Sequence, residues 1–393
     1  MYQPKYTITN SILKNIGFIE AAREMVENAP LVPHWEAQFR RDAIIRTIHY
    51  GTHLEGNQLN REQVEKIVEE IPNTEYRIPN KKTPLDELDD SVFSIQNSEL
   101  ASSGIVARER DIQEVLNYRE VLKYIDSQGI PVEAVYGRVK TDFAPYSLET
   151  LSEIHRLTTD KVLPENEQGK LRQVQVVIRN KSNGELIFRP PSPAAVPLQL
   201  EDFLKWLNSP EGQDHHPVIR AGIAHWELVR IHPFTDGNGR TARAMAMLVL
   251  FQEGYDVKQF FSIEQYYDQN PRDYYDALQK AGSEKDGDIS AWLEYFTDGL
   301  AVELSRVKER VMQLSRDLKL KGKLGRQIPI TERQIKILEY MEVNNGYLTT
   351  KDTFKMIPMT SRDTIVRDLR YLIDKGVVRK VGRTKASRYV LAE

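Results

Sequence analysis

The chain contains no cysteine. That excludes a disulfide framework, a thiolate metal site and a cysteine nucleophile, and a cytoplasmic location is the expectation. Long apolar runs are missing too. The longest, Ala244 to Phe251, falls far short of the roughly 20 residues that cross a bilayer. The opening Met1-Tyr-Gln-Pro-Lys-Tyr6 lacks the apolar segment of a secretory signal, so neither export nor a membrane partner is expected. What is present suits a globular protein. Of 393 residues, 40% are hydrophobic and 28% charged, and the length points to two or three domains.

A net charge of −3 conceals an asymmetry. Residues 319–393 hold 17 Lys/Arg against 8 Asp/Glu, whereas residues 1–318 hold 37 against 49. A basic tail on an acidic body implies two modules with different partners, because charge steers association more than it sets fold.

Hydrophobic spacing predicts a mainly α protein. Residues 36–50 suit a helix that Gly51 and Gly56 stop, and Asn60, with Gln63 three residues on, reads as a fresh N-cap. Residues 72–92 read as a surface loop. Helices are expected over 105–125, over 146–158 with Ser147 as N-cap, over 217–229 and over 241–252, with a break at residues 129–131. The spacing changes to partial alternation from Arg172 to Ile178, which leads through Asn183-Gly184 to Leu186-Ile-Phe188 and predicts a β-hairpin. Residues 290–320 read as helical up to a charged linker. Beyond it, three short helices (331–340, 349–355 and 361–375) and two strands around a basic turn match a winged helix-turn-helix.

Residues 232–243 read His-Pro-Phe-Thr-Asp-Gly-Asn-Gly-Arg-Thr-Ala-Arg, on a tight loop between two helices. Gly237 and Gly239 flank Asn238 just before a helix start. Glycine permits the positive φ angles that aim successive N–H groups at one point, and the helix terminus adds positive potential, so a di- or triphosphate is the natural guest. Asp236 offers a hard oxygen suited to Mg²⁺. Arg240 and Arg243 lie one turn apart and can clamp phosphate oxygens. His232 can act as a general base near neutral pH. Together these are parts for in-line attack on a phosphate. The plain alternative, a glycine-rich turn between helices, would not call for the base, the acid and both arginines. His225 reads as a buried hydrogen-bonding histidine, and His215-His216 as a loop pair.

The dodecapeptide matches the signature of the Fic family, His-x-Phe-x-Asp/Glu-Gly-Asn-Gly-Arg-x-x-Arg, at every defined position. The lead-in Ala224-His-Trp-Glu-Leu-Val-Arg-Ile231, the hairpin at 172–188 and Asn270-Pro-Arg-Asp-Tyr-Tyr275 extend the resemblance over roughly residues 110–300. It implies a Fic-type helical core with a β-hairpin flap, and transfer of AMP from ATP to a Ser, Thr or Tyr hydroxyl of a target protein. By position, His232 would be the base and Asp236 the Mg²⁺ ligand. Gly237, Asn238, Gly239 and Arg240 would hold the α- and β-phosphates, and Arg243 the γ-phosphate. Tyr274 and Tyr275 would edge the nucleotide pocket or belong to the core. Val174, Val176 and Ile178 of the flap would dock the target by strand addition.

Many members carry an inhibitory motif, Ser/Thr-x-x-x-Glu-Gly/Asn, whose glutamate pairs with the second signature arginine. Thr52-His-Leu-Glu-Gly-Asn57 resembles it, although Gly51 stands four before Glu55 and the hydroxyl comes at Thr52. The implied organisation is an N-terminal region with a candidate inhibitory helix (1–105), a Fic catalytic domain (106–318), a basic linker (319–330) and a winged helix (331–393). Alternatives are transfer of another phosphate-containing group, removal of AMP, and a DNA-binding regulator with a nucleotide-sensing Fic domain. Arg362, Arg367 and Arg370 on the third tail helix, and Arg379, Lys380, Arg383, Lys385 and Arg388 on its wing, make duplex DNA a candidate partner. A homodimer stays open.

Overall fold

A computed structural model describes residues 2–29, 31, 33–70, 107–128, 146–179, 186–255, 257–283, 287–323, 332–343, 347–349, 352, 362–382 and 388–391. The chain divides into two compact units, Met1–Val311 and Met312–Glu393.

The first unit is helical. Its elements are α1 (Asn10–Glu27), α2 (Pro33–His53), α3 (Arg61–Glu70), α4 (Glu109–Ser127), α5 (Leu148–Thr159), α6 (Val196–Asn208), α7 (Pro217–Ile231), α8 (Asn238–Gln252), α9 (Ile263–Gln269), α10 (Pro271–Ser283) and the start of α11 (Ser290–Lys323), besides one-turn helices. Among the described residues one antiparallel pair, β1 (Ile178–Arg179) with β2 (Leu186–Phe188), lies between α5 and α6. No helix among the described residues is long and apolar enough to cross a membrane.

Helices α7 and α8 form the most extensively packed pair. Ile219, Ile223 and Leu228 of α7 and Met245, Leu248 and Val249 of α8 are buried, and Ile219/Ile223 and Met245/Leu248/Val249 follow the i, i+3, i+4 spacing of a helix face. The caps follow from local chemistry. Pro217 stands in the first turn of α7, and the His216 ring accepts the Val218 N–H. Ser147 accepts the Thr150 N–H at the start of α5. Asn60 and Gln63 close a reciprocal capping box at 3.0 Å in both directions.

Several expectations need correction. Gly51 does not stop a helix, since α2 runs through it to His53. The glycine is there for proximity: a Cβ on it would stand 2.7 Å from Tyr118 Cε1. Residues 172–177 form no strand, because Arg172 engages the carbonyls of Val174, Pro191 and His232 and holds this stretch against loops. Thr349 belongs to a strand and not to a helix. The turn at 183–184, the loop at 72–92 and the break at 129–131 lie outside the described residues.

The second unit holds α12 (Glu332–Val343), β3 (Tyr347–Thr349), α13 (Arg362–Asp374), β4 (Val378–Val381) and β5 (Arg388–Leu391). Three antiparallel strands in the order β3-β5-β4 replace the expected two. Ile337, Met341, Leu348, Ile365, Leu369 and Leu372 make its core. The described part of the stretch expected as linker, up to Lys323, is helical.

Gly222 shows how tightly α7 is seated. Its carbonyl accepts Trp292 Nε1–H at 2.7 Å, and a Cβ there would meet Leu293 Cδ2 at 2.8 Å and Phe296 Cδ1 at 3.0 Å. Gly→Ala in a helix ordinarily stabilises by about 0.4–1 kcal/mol. Overpacking a core costs about 1–3 kcal/mol and should win here. Gly222→Ala is therefore expected to lower unfolding free energy by about 1–2 kcal/mol in urea titration.

Candidate active site

His232 caps the C-terminus of α7 in the left-handed region, φ 51° and ψ 63°, which turns its side chain off the helix. Its Nδ1 lies 3.2 Å from Val229 O. A donor is required there, so the proton sits on Nδ1 and Nε2 keeps its lone pair. Burial pushes the imidazole pKa down, and the ring is neutral at pH 7.

The loop after His232 is braced from below. Asn238 accepts Phe234 N–H and donates to Phe234 O, both at 2.9 Å, so its side chain is spent on holding the loop. Phe234 is fully buried and stacks on His155 with ring centroids 3.7 Å apart. His155 Nδ1 accepts Gly169 N–H, and Nε2 reaches Asp236 O, each at 2.9 Å. Gly237 takes φ 73°, and a Cβ there would strike Thr159 Cγ2 at 2.9 Å. The first N–H groups of α8 have no intrahelical acceptor and converge where an anion would sit.

The three acids and three arginines of the site are already paired. Arg243 is buried, and its Nη2 donates at 2.8 Å to both Glu55 Oε1 and Gly51 O. Burial alone would raise the Glu55 carboxyl, but Arg243 and Arg240 outweigh it and hold the pKa below the usual value. A carboxylate lowered in this way stabilises above its unfolded pKa, and the contribution fades only as pH falls through the folded value. The pair therefore persists at neutral pH. Glu55 sits on the turn after α2, and a Cβ on Gly239 would collide with its Oε1. The glycine lets the carboxylate into the mouth of the anion loop. Arg240 Nη1 forms an ion pair with Glu114 Oε1 at 3.2 Å, while its buried Nε and Nη1 have no hydrogen-bond partner among the described residues. Asp236 Oδ1 accepts Gly237 N–H at 2.6 Å, and Oδ2 accepts Arg110 Nη2–H at 3.1 Å. With a half-exposed carboxylate beside the anion loop, Asp236 fits a Mg²⁺ that takes its other ligands from phosphate and water.

The motif residues thus converge with Glu55, from 188 positions away. The tyrosines separate. Tyr274 is buried, its hydroxyl 2.9 Å from His225 Nε2, and belongs to the core beside Arg243. Tyr275 is half exposed and donates to Leu54 O at 3.2 Å, at the rim of the Glu55 turn. Of the flap residues, only Ile178 is in a strand, and Val174 is 58% exposed. Sequence reasoning missed His155 and Arg172 as positioning residues. Arg172 is buried and donates to His232 O at 2.7 Å and Pro191 O at 2.6 Å, tying His232 to the stretch after β2. A lone histidine in a helix and an arginine in an alternating run carry no signal of such roles.

Residues 145–250 match the model of the Fic/DOC family. A protein adenylyltransferase Fic of Aedes aegypti is 29% identical over 261 residues, covering 61% of this chain and 48% of the relative. Its counterpart in Culex quinquefasciatus is 30% identical over 258 residues, covering 66% and 40%. The chain thus spans less than half the length of these curated relatives. The fold resembles a Fic family protein from Desulfovibrio desulfuricans G20, with a TM-score of 0.61 at 21% identity over 100% of this chain and 98% of that one. It also resembles Fic-1 of Caenorhabditis elegans, with a TM-score of 0.53 at 22% identity over 77% and 74%.

His155 gives this segment a pH signature. Burial lowers its pKa from 6.5 to about 4. The unfolded chain then binds a proton that the native state refuses, so stability is full above pH 6.5 and declines as pH falls toward 4. His155→Gln should remove about 2 kcal/mol of the stability difference between pH 7.5 and pH 5, read by urea unfolding at both.

Proposed function

We propose that this protein is an ATP- and Mg²⁺-dependent protein adenylyltransferase restrained by its own Glu55. The observation that carries this reading is the Glu55 carboxylate, bonded to Arg243 and lodged against Gly239 at the mouth of the anion loop. An anion built into the chain marks the place a substrate anion takes. The names of the curated relatives support the reaction class.

His232 Nε2 accepts the proton of a target Ser, Thr or Tyr hydroxyl as its oxygen bonds to the α-phosphorus of ATP. The bond from that phosphorus to the bridging oxygen breaks, and pyrophosphate leaves. The backbone N–H groups of Asn238, Gly239 and Arg240 and the Arg240 guanidinium meet charge on the α- and β-phosphates, and Arg243 meets the γ-phosphate once Glu55 has moved. Asp236 would hold Mg²⁺, which when bound would neutralise phosphate charge. The stretch 173–177, not paired with a strand among the described residues, leaves backbone available for a target segment beside Ile178.

Glu55→Gly should raise AMP transfer by one order of magnitude or more (about 1.4 kcal/mol per tenfold) while lowering thermal stability, because Arg243 loses its counter-charge. Label from α-³²P ATP, and none from γ-³²P ATP, should stay on the target, and His232→Ala should abolish it. Retention of γ-label would point instead to phosphate transfer.

For the second unit, duplex DNA is the partner we infer. Arg367 and Arg370 on α13 and Arg379, Lys380 and Arg388 on the strands are exposed, which suits contact with phosphates. Five such contacts would cost about two to three orders of magnitude in affinity between 50 and 200 mM salt. Absence of duplex binding at low salt would remove this partner.

A further inference from the structure

The grip on Arg243 is not the only contact that stands where a substrate complex must form. Asp236, the one carboxylate of the dodecapeptide, has both oxygens engaged. Oδ1 accepts the neighbouring Gly237 N–H at 2.6 Å, a bond internal to the loop. Oδ2, the oxygen left for a cation, accepts Arg110 Nη2–H at 3.1 Å. We propose that Arg110 is a second restraint, holding the cation position on Asp236 in direct competition with a divalent metal.

Three features support this assignment. A guanidinium and a divalent cation cannot share one carboxylate oxygen without strong like-charge repulsion, so one must leave for the other to enter. Arg110 is able to leave, since its side chain is 28% exposed and stands in the first turn of α4. It also has an anchor while it leaves: its Nε donates to Glu114 Oε1 at 3.1 Å, so the Nη2 end can swing without the residue losing its place.

Charge gives the same answer. Asp236, Glu55 and Glu114 face Arg110, Arg240 and Arg243, an even balance in this closed state. A triphosphate displaces Glu55 but cannot by itself free Asp236. The divalent cation that accompanies it must displace Arg110, whose released guanidinium then adds to the positive field around the phosphates. Entry of a metal-bound nucleotide thus breaks two ion pairs, Glu55 with Arg243 and Asp236 with Arg110.

This inference rests on the adenylyltransferase reading only in assuming that a divalent cation enters with the nucleotide, and its test reads metal binding and not transfer. Mn²⁺ is titrated into the full chain carrying Glu55→Gly, with and without a non-hydrolysable ATP analogue, and free Mn²⁺ is followed by electron paramagnetic resonance. Arg110→Gln should bind Mn²⁺ about tenfold tighter than the parent, and adding Asp236→Ala should cancel that gain. Arg110→Met, which keeps much of the bulk, should tighten binding similarly. Unchanged or weaker Mn²⁺ binding in both Arg110 variants would overturn the proposal, as would a gain that survives Asp236→Ala. Loss of AMP transfer with the Mn²⁺ gain intact would fault the reaction assigned to the site and leave the Arg110 restraint standing.

Discussion

A buried guanidinium must have a counter-charge, and the way Arg243 finds one organises the rest of the site. Its Nη2 is shared between the Gly51 carbonyl and the Glu55 carboxylate, both at 2.8 Å. That single group joins the turn after α2 to the first turns of α8. Burial raises the cost of leaving Arg243 unpaired, so the chain supplies an anion whenever no substrate does. Restraint then needs no separate inhibitory domain. On the proposed reading it follows from placing the arginine meant for a phosphate in the core.

Several small residues exist to make this contact possible. Gly51 lets α2 press against Tyr118 and present its carbonyl to Arg243. Gly239 leaves room for the Glu55 carboxylate, and Gly237 supplies the positive φ that begins α8. Around them His232 and the loop are held by groups outside the dodecapeptide. Arg172 fixes the His232 carbonyl, and His155 supports Phe234 and the Asp236 carbonyl. A site braced in this way can exchange one anion for another without rebuilding itself, which is what preorganisation requires.

How much of this was legible in the sequence depended on whether the determinant was local. The dodecapeptide, the caps at Asn60 and Ser147 and the helical periods are local patterns, and each appears in the structure close to its expected position. The pairing of Glu55 with Arg243 was readable only through resemblance, because 188 positions separate them. Where reading failed, a tertiary contact overrode a local rule. Gly51 looked like a helix stop and is instead a point of close approach. Residues 172–177 alternate like a strand, yet Arg172 ties them down by its side chain. The Asn238 amide is spent on Phe234, a loop contact that the motif does not announce. The part played by Arg110 could not be seen at all, since an arginine in a helical first turn has no distinguishing pattern.

The central claim is that Glu55 and the terminal phosphate of a nucleotide compete for Arg243. Isothermal titration of ATP and ADP into the wild type and Glu55→Gly tests it most directly. The account predicts that Glu55→Gly gains about tenfold or more in ATP affinity, roughly 1.4 kcal/mol, with a much smaller gain for ADP. Equal gains for both nucleotides, or none for ATP, would contradict it.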